Sequence, residues 1–408
     1  MPAGFSKEHV IVRKDFFIVF ILLFNTFAWF YLTQIIIDSI LTSLSVTYIQ
    51  NLIIRASYFI SIVGSSIVGS VLSNKISRLD FLYLWIILGI VTSSVFVLIN
   101  NFTVIHILFF CILLGISFGL GMPSCLAYFT DYTPIENRGR ISGIIFLTTN
   151  LSAPLFIMAL NMFGLISNLI ILAVWRGFGL IVFFLKPEKN SASEKKKVGS
   201  FISVLHDKSF LLYFIAWLMF CLIDRFEKPV LANLFGDFYY LMIGPIIGSF
   251  FALIAGVLSD RVGRKRVILY GFVTLGIAYA VIGIAPDTLF SWYFFLTIES
   301  IATGILWVTF ILILWGDLSQ HGSREKYYVI GEAPYFLTFV IQQLSVPSVA
   351  LPLYAAFSLA SFFLFAAVLP LVYAPDTLPE KKIRLRRLRK YMDAAKKVKE
   401  KYVKNAEG

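Results

Sequence analysis

Apolar residues in this chain do not recur at the three- and four-residue spacing of a surface helix. They run together in twelve long stretches, at 16–38, 47–72, 81–100, 104–130, 141–162, 165–185, 209–231, 238–258, 267–285, 288–315, 327–349 and 352–373, with polar residues collected between them. A helix rises about 1.5 Å per residue, so about twenty apolar residues cross the ~30 Å hydrocarbon layer of a bilayer. Strands of a membrane barrel would instead show short segments of alternating character. Helices satisfy every backbone donor and acceptor internally where water is absent. The pattern therefore predicts an all-α membrane protein with twelve transmembrane helices.

The segments between the runs divide by charge. With the N-terminus in the cytoplasm, 31 of the 35 Lys and Arg residues fall on the cytoplasmic side. The other four, Arg55, Arg176, Arg225 and Lys228, lie within or at the end of a run. Positive loops stay inside, so both termini are expected in the cytoplasm, with the plasma membrane as the location. The longest polar interruption, 186–208, has linker composition and separates an N-terminal bundle (1–185) from a C-terminal one (209–373). The tail, 374–408, spaces Leu385, Leu388, Met392, Ala395, Val398 and Tyr402 at three or four residues among Lys and Arg. It fits a basic amphipathic helix on the anionic inner leaflet, or a solvated, partly disordered segment.

Composition narrows the function classes. The net charge of +12 sits in loops and tail rather than on a folded face, so membrane lipids, not nucleic acid, are its expected partners. Cys111, Cys125 and Cys221 lie inside apolar runs and show neither metal-ligand spacing nor a disulfide framework. His9, His106, His206 and His321 are scattered, with no His-Glu-x-x-His pair. No Gly-Lys pair is present for the phosphate loop of an ATP-driven pump. Neither metal, cofactor nor enzymatic activity is expected.

The second half repeats the first. Asp38 falls on Asp224, an offset of 186 residues, and the same offset carries Val71-Leu72-Ser73 onto Val257-Leu258-Ser259, Arg78 onto Arg264, Asp131 onto Asp317 and Arg138 onto Arg324. These matches include polar residues at span ends, where lipid does not force agreement. Parallel repeats of this kind imply a solute pathway between the two bundles.

Five segments carry a family resemblance. Gly256-Val-Leu-Ser-Asp260-Arg261-Val-Gly263-Arg264-Lys265 resembles the signature loop of the major facilitator superfamily, and Ser70-Val-Leu-Ser-Asn74-Lys75-Ile-Ser77-Arg78 is a worn copy. Asp131-Tyr-Thr-Pro134-Ile-Glu-Asn-Arg138-Gly139-Arg140 resembles the family's loop between spans four and five, and Pro187-Glu188 and Pro375-Asp376 its pairs after spans six and twelve. The resemblance implies two six-helix bundles and a transporter, expected as a monomer, that works by alternating access.

The loop residues also make physical sense by themselves. Gly256 removes a side chain where two helices approach. Asp260 can accept from Arg264 at i+4 or from a helix N-terminus. Arg261 and Arg264 are placed to reach Asp317, and Lys75 and Arg78 to reach Asp131. Together with Arg138 and Arg324 these residues are expected to form a cytoplasmic gate. Plain anchoring of topology is the alternative, and the one preferred for Lys265 and Arg266.

An ionisable residue inside a span is costly unless it faces a cavity or a partner. Asp38, Arg55, Asp224, Glu299 and Glu332 lie on spans that the resemblance places along the pathway. Glu227 shares a helix face with Asp224. Asp224, Arg225, Glu227 and Lys228 fit a salt-linked outer cluster as well. Arg176, on the sixth span, reads as structural. Asn25, Asn150 and Gln342 fit either solute binding or a bond to a neighbouring helix.

Glu299 stands out, since no cation lies within a turn of it in sequence. Desolvation favours the neutral form of a carboxyl group and an approaching Arg the ionised form. Motion of Arg55 relative to Glu299 or Asp224 could then bind and release a proton. The expectation is a secondary transporter of a small solute by proton-coupled symport. A facilitator, an efflux antiporter of the same fold and a transport-inactive membrane sensor are the alternatives. Efflux is disfavoured because the fifth span lacks the Gly-Pro-x-x-Gly-Gly stretch of the family's drug/proton antiporters.

Overall fold

The computed structural model describes residues 13–99, 102–185, 199–235, 243–319, 323–345, 352–378 and 392. Long helices dominate the described residues. The first half holds α1 (Arg13–Ser43), α2 (Tyr48–Leu72), α3 (Arg78–Val95), α4 (Val104–Tyr132), α5 (Arg138–Asn161) and α6 (Leu165–Phe178). The second holds α7 (Lys208–Phe235), α8 (Gly244–Val262) and α9 (Arg264–Ile284), then α10 (Leu289–Leu318), α11 (Arg324–Ser345) and α12 (Leu353–Tyr373). Eleven are long and apolar enough to cross a membrane. The remaining one, α11, opens on Arg324, Glu325 and Lys326 and carries Glu332, which lowers its hydropathy.

Local side chains set several helix starts. Thr47 caps α2 in a reciprocal box with Gln50, Ser77 accepts from the Asp80 amide at the start of α3, and Thr103 caps α4 with His106. α4 runs unbroken through Pro123, whose repeat mate Thr309 lies in a π-helical stretch of α10, Val308–Leu314.

Packing follows the repeat. In the first half α2 packs on α4 and α3 on α6; in the second, α8 packs on α10 and α9 on α12. The halves meet through α2 with α11 and through α5 with α8, pairs that the repeat exchanges. Backbones approach closely where side chains are missing. A Cβ on Gly69 would strike the Leu120 backbone, and one on Gly119 the Ile62 backbone, so α2 and α4 sit at a distance only small residues permit. Trp29, Trp85, Trp217 and Trp315 are fully buried, while Leu98, Phe184, Ile284 and Phe290 stand exposed on the outer surface, as a lipid-facing side requires.

The eighth span was expected from 238, but the described helix begins at Gly244, residues 236–242 lying outside the described set. The ninth starts earlier than hydropathy indicates, at Arg264, whose amide donates to the Asp376 carboxylate at 3.0 Å. Gly263, just before it, has φ +108°, and a Cβ there would strike Asp376. Residues 186–198 of the linker lie outside the described residues, as does the tail beyond Leu378 apart from Met392, so the amphipathic-helix expectation does too.

Candidate solute cavity and the ion-pair network beneath it

Between the halves lies a cavity whose empty space, open solvent included, is about 550 Å³. Its polar groups come from Tyr31 on α1, Thr149 and Asn150 on α5, and Glu332 and Tyr335 on α11. Its apolar walls are chiefly Phe27 and Phe30 on α1, Phe118 on α4, Phe146 on α5, Trp307 on α10 and Phe336 on α11. Phe336 meets Phe30 and Phe118 edge-on, with ring centroids 6.1 and 6.2 Å apart, which makes one continuous aromatic wall.

Most of the cavity's neutral polar groups are engaged. The Tyr31 hydroxyl donates to Asn150 Oδ1 at 3.2 Å, Asn150 Nδ2 donates to the Phe146 carbonyl at 3.0 Å, and Thr149 donates to the Ile145 carbonyl at 2.8 Å. Glu332 differs: it is 2% exposed, and its Oε1 has no hydrogen-bond partner among the described residues. Sequence reasoning named Asn150 and Glu332 and missed Tyr31, Thr149, Tyr335 and the aromatic wall. A signal was present. Phe146, Thr149 and Asn150 are the repeat mates of Glu332, Tyr335 and Phe336, and the i, i+3, i+4 spacing puts each trio on one helix face.

At the end of the bundle that carries the basic loops, eight charges join the halves. Arg138 on α5 pairs with Asp317 on α10, and Arg324 on α11 with Asp131 on α4; the repeat exchanges these two crossing pairs. Within the halves Arg78 pairs with Asp131, and Arg264 with Asp317 at 3.1 Å, again repeat mates. Arg264 also holds Asp260 at 2.7 Å, and Arg78 holds Glu325 across the interface. Four arginines thus face four carboxylates, as burial demands of charges. The Asp260 carboxylate crosses to the other half, accepting from the amides of Gly139 (2.9 Å) and Arg140 (2.8 Å) at the start of α5. An anion at a helix N-terminus is favourably placed against the dipole. Gly139 and Gly256 make that approach possible, since a Cβ on either would strike the backbone of the other.

Two residues of the expected gate stand apart. Lys75 is exposed and makes no ion pair among the described residues, Asp131 being held by Arg78 and Arg324. Arg261 was placed within reach of Asp317, but it is exposed and makes no ion pair among the described residues, because its position on α8 faces away from the α5 contact. Arg264, three residues on and fully buried, takes that role.

The charges inside the spans sort differently from their sequence reading. Arg55 pairs with Asp38 at 2.8 Å, not with Glu299 or Asp224, and the Asp38 side chain is 55% exposed, which puts the pair at the rim away from the basic end. Glu299 does join other charges. Ligand oxygens of Asp224, Glu227 and Glu299, all buried, lie within 4.8 Å of one another, although α7 and α10 are far apart in sequence. Thr303 donates to Glu299 at 3.0 Å, and Asp224 lies 3.8 Å from Arg225. Arg225 in turn covers the rings of Phe339, at 3.4 Å, and Tyr335, at 5.1 Å. Three carboxylates at this spacing repel one another when all are ionised, unless positive charge or donors lie among them.

Asn25 does not line the cavity. It donates to the Trp175 carbonyl at 2.5 Å and accepts from Arg176, tying α1 to α6. Arg176 lies fully buried over the Trp29 and Trp85 rings, a packing arrangement. Gln342 is half-buried on α11, outside the cavity lining.

Two repeated six-helix halves, a cavity between them and ion pairs joining them at one end define a transporter fold built from parallel repeats. The model of the Major Facilitator Superfamily matches residues 17–240, more than half of the 408, and the chain belongs to that superfamily. Among solved structures, the human organic anion transporter MFSD10 (TETRAN) is similar at TM-score 0.66 and 14% identity, over 88% of this chain and 99% of that one. The proton:xylose symporter XylE, bound to 6-bromo-6-deoxy-D-glucose, is similar at TM-score 0.64 and 14% identity, over 89% of this chain and 96% of that one. No curated protein sequence matches the chain significantly.

Proposed function

We propose that this chain is a secondary transporter that carries a small solute through the central cavity by alternating access, in symport with protons. The observation that carries the reading is the neutral network of buried ion pairs sealing the two halves at one end, directly beneath a cavity that both halves line. Ion pairs between the halves can be exchanged for water when the halves rock apart, whereas those within a half travel with it. The basic end is the cytoplasmic face of the plasma membrane in this reading, so the arrangement described is closed to the cytoplasm.

The acidic cluster of Asp224, Glu227 and Glu299 supplies the proton site, separate from the cavity where Glu332 faces the solute. Two separate sites allow solute and proton to be bound together, as symport needs. A fold neighbour named as a proton symporter agrees with this without fixing it. The test uses proteoliposomes and a solute found by thermal-shift screening of the purified protein. Glu299→Gln should abolish accumulation driven by a pH gradient while solute exchange across the membrane continues, since exchange needs no net proton movement. Accumulation by the Gln variant would remove Glu299 from the coupling step. A wild-type protein indifferent to a proton gradient would end the symport reading.

A further inference from the structure

We propose that the cavity takes hydrophobic organic cations, with the Glu332 carboxylate as their counter-charge and the rings of Phe118, Trp307 and Phe336 as the surface that holds their apolar body. The inference rests on the cavity being the transport site and names the class of solute it selects.

Among the described lining residues, Glu332 is the one carboxylate, and no Lys, Arg or His accompanies it. Its Oε1 is buried and without a hydrogen-bond partner among the described residues. A buried polar atom in that position is satisfied by a ligand that brings positive charge or a donor. Among the described residues no charged group forms an ion pair with Glu332, whose polar neighbour is the neutral Trp315 indole. Arg225, on α7, sits over Tyr335 and Phe339 and pairs with Asp224, outside the lining. The carboxylates of Asp224, Glu227 and Glu299 belong to the cluster between α7 and α10.

Other solute classes fit less well. An anion would bring a second negative charge beside Glu332 with no cation among the lining residues. A polyol needs many donors and acceptors, yet Tyr31, Thr149 and Asn150 are already bonded to one another or to backbone, and the rest of the wall is mainly aromatic. A neutral hydrocarbon would fill the space but leave Glu332 unmatched. A cation with an apolar, preferably aromatic, body satisfies both features, because aromatic faces attract cations as well as apolar groups.

Tetraphenylphosphonium and tetraphenylborate provide the test, being nearly identical in size and shape and opposite in charge. Binding of each to the full-length protein in nanodiscs is measured against empty nanodiscs. The phosphonium should bind at least about tenfold more tightly than the borate. Glu332→Gln should cost the phosphonium about tenfold or more and erase the preference. Asn150→Asp, which adds a second carboxylate to the same cavity, should strengthen phosphonium binding, a gain that misfolding cannot produce. Equal or tighter binding of the borate, phosphonium binding unchanged in Glu332→Gln, or no binding of either ion overturns the proposal. The underlying reading is tested separately with a cysteine at Thr149. If its accessibility switches sides when the network is weakened, the cavity stands as the pathway whatever the ions do. If it never switches, the transport reading fails even where the phosphonium binds.

Discussion

Replacing Arg138 by Gln tests the inter-half network most directly. The Arg138 side chain is 5% exposed and crosses from α5 to Asp317 on α10. It also donates to the carbonyls of Thr130, at 2.7 Å, and Thr133, at 3.0 Å, in its own half. Those carbonyl bonds move with the first half in a rigid-body opening, so only the Asp317 contact is given up when the halves part. Leaving a buried charge wholly unpaired costs about 3–5 kcal/mol. Asp317 keeps Arg264 at 3.1 Å, however, so it is not left unpaired. The figure that applies is the one for a hydrogen bond to a charged group, about 1.5–3 kcal/mol. At about 1.4 kcal/mol per factor of ten, the closed arrangement loses a factor of roughly 10–150 against the open one. The Arg324–Asp131 pair remains, so the seal is weakened rather than removed.

The readout is a cysteine at Thr149, which lines the cavity, in a protein whose native cysteines are all buried and give little background. Labelling by a membrane-impermeant maleimide from the basic side should accelerate by roughly that factor of 10–150, up to the limit set by full opening. Combining Arg138→Gln with Asp317→Asn should give less than the sum of the two, because both remove the same contact. Arg261→Gln, at an exposed position outside the network, is the control and should leave labelling unchanged. A rate in Arg138→Gln within twofold of the parent, or an equal rise in Arg261→Gln, refutes the idea that the crossing pairs hold this end shut.

Three further outcomes follow from the same geometry. Gly256→Ala puts a methyl against the Gly139 backbone, an overpacking worth about 1–3 kcal/mol, so labelling of the cavity cysteine from the basic side should rise as it does in Arg138→Gln. Asp260→Asn removes the charge that caps α5 from the other half, worth about 1 kcal/mol, and should slow turnover about fivefold while changing solute affinity much less, as measured in separate flux and binding assays. Single cysteines at Ser6 and Ser191 should react only from the cytoplasm and one at Thr103 only from outside; labelling of Ser191→Cys from outside would reverse the orientation.

What the sequence made legible was whatever depends on neighbours along the chain or on the repeat. Runs of about twenty apolar residues force helices, so eleven spans meet a simple length-and-hydropathy test, and α11, which carries Arg324, Glu325, Lys326, Glu332 and two glutamines, is less apolar than the rest. The offset of 186 residues, read from Asp38 onto Asp224, identified the pairs 131/317 and 138/324, but not that each Arg crosses to the other half's Asp. Crossing is a property of how two bundles face each other, which periodicity does not encode. The same limit applies to Glu299. Its sequence neighbourhood has no cation, and only the packing of α10 near α7 brings it to Asp224 and Glu227. Hydropathy also ranked the aromatic residues of the cavity as ordinary core, because a ring facing a cavity and a ring facing another helix have the same sequence signature.

The worn copy of the signature loop shows why a missing motif residue need not mean a missing interaction. The repeat mate of Asp260 is Asn74, which has no charge and donates to the Ser70 carbonyl of its own half at 2.9 Å, with no bond to the other half among the described residues. By symmetry, the start of α11 should then lack the carboxylate that the start of α5 receives from Asp260. That carboxylate is supplied by Glu325 instead, within the first turn of α11, at the repeat position of Gly139. Glu325 pairs back to Arg78, the mate of Arg264. The negative charge has moved from one side of the interface to the other, and both helix starts keep an acidic group with an arginine beside it. The dipole of a helix is complemented as well by a carboxylate in its own first turn as by one brought from a neighbour. The difference lies in what happens on opening. Asp260 leaves α5 when the halves part, whereas Glu325 stays with α11 and loses only Arg78. The two sides of the seal are therefore equal in charge and different in what opening separates: a capping carboxylate from its helix on the α5–α8 side, and an Arg–carboxylate pair on the α11 side.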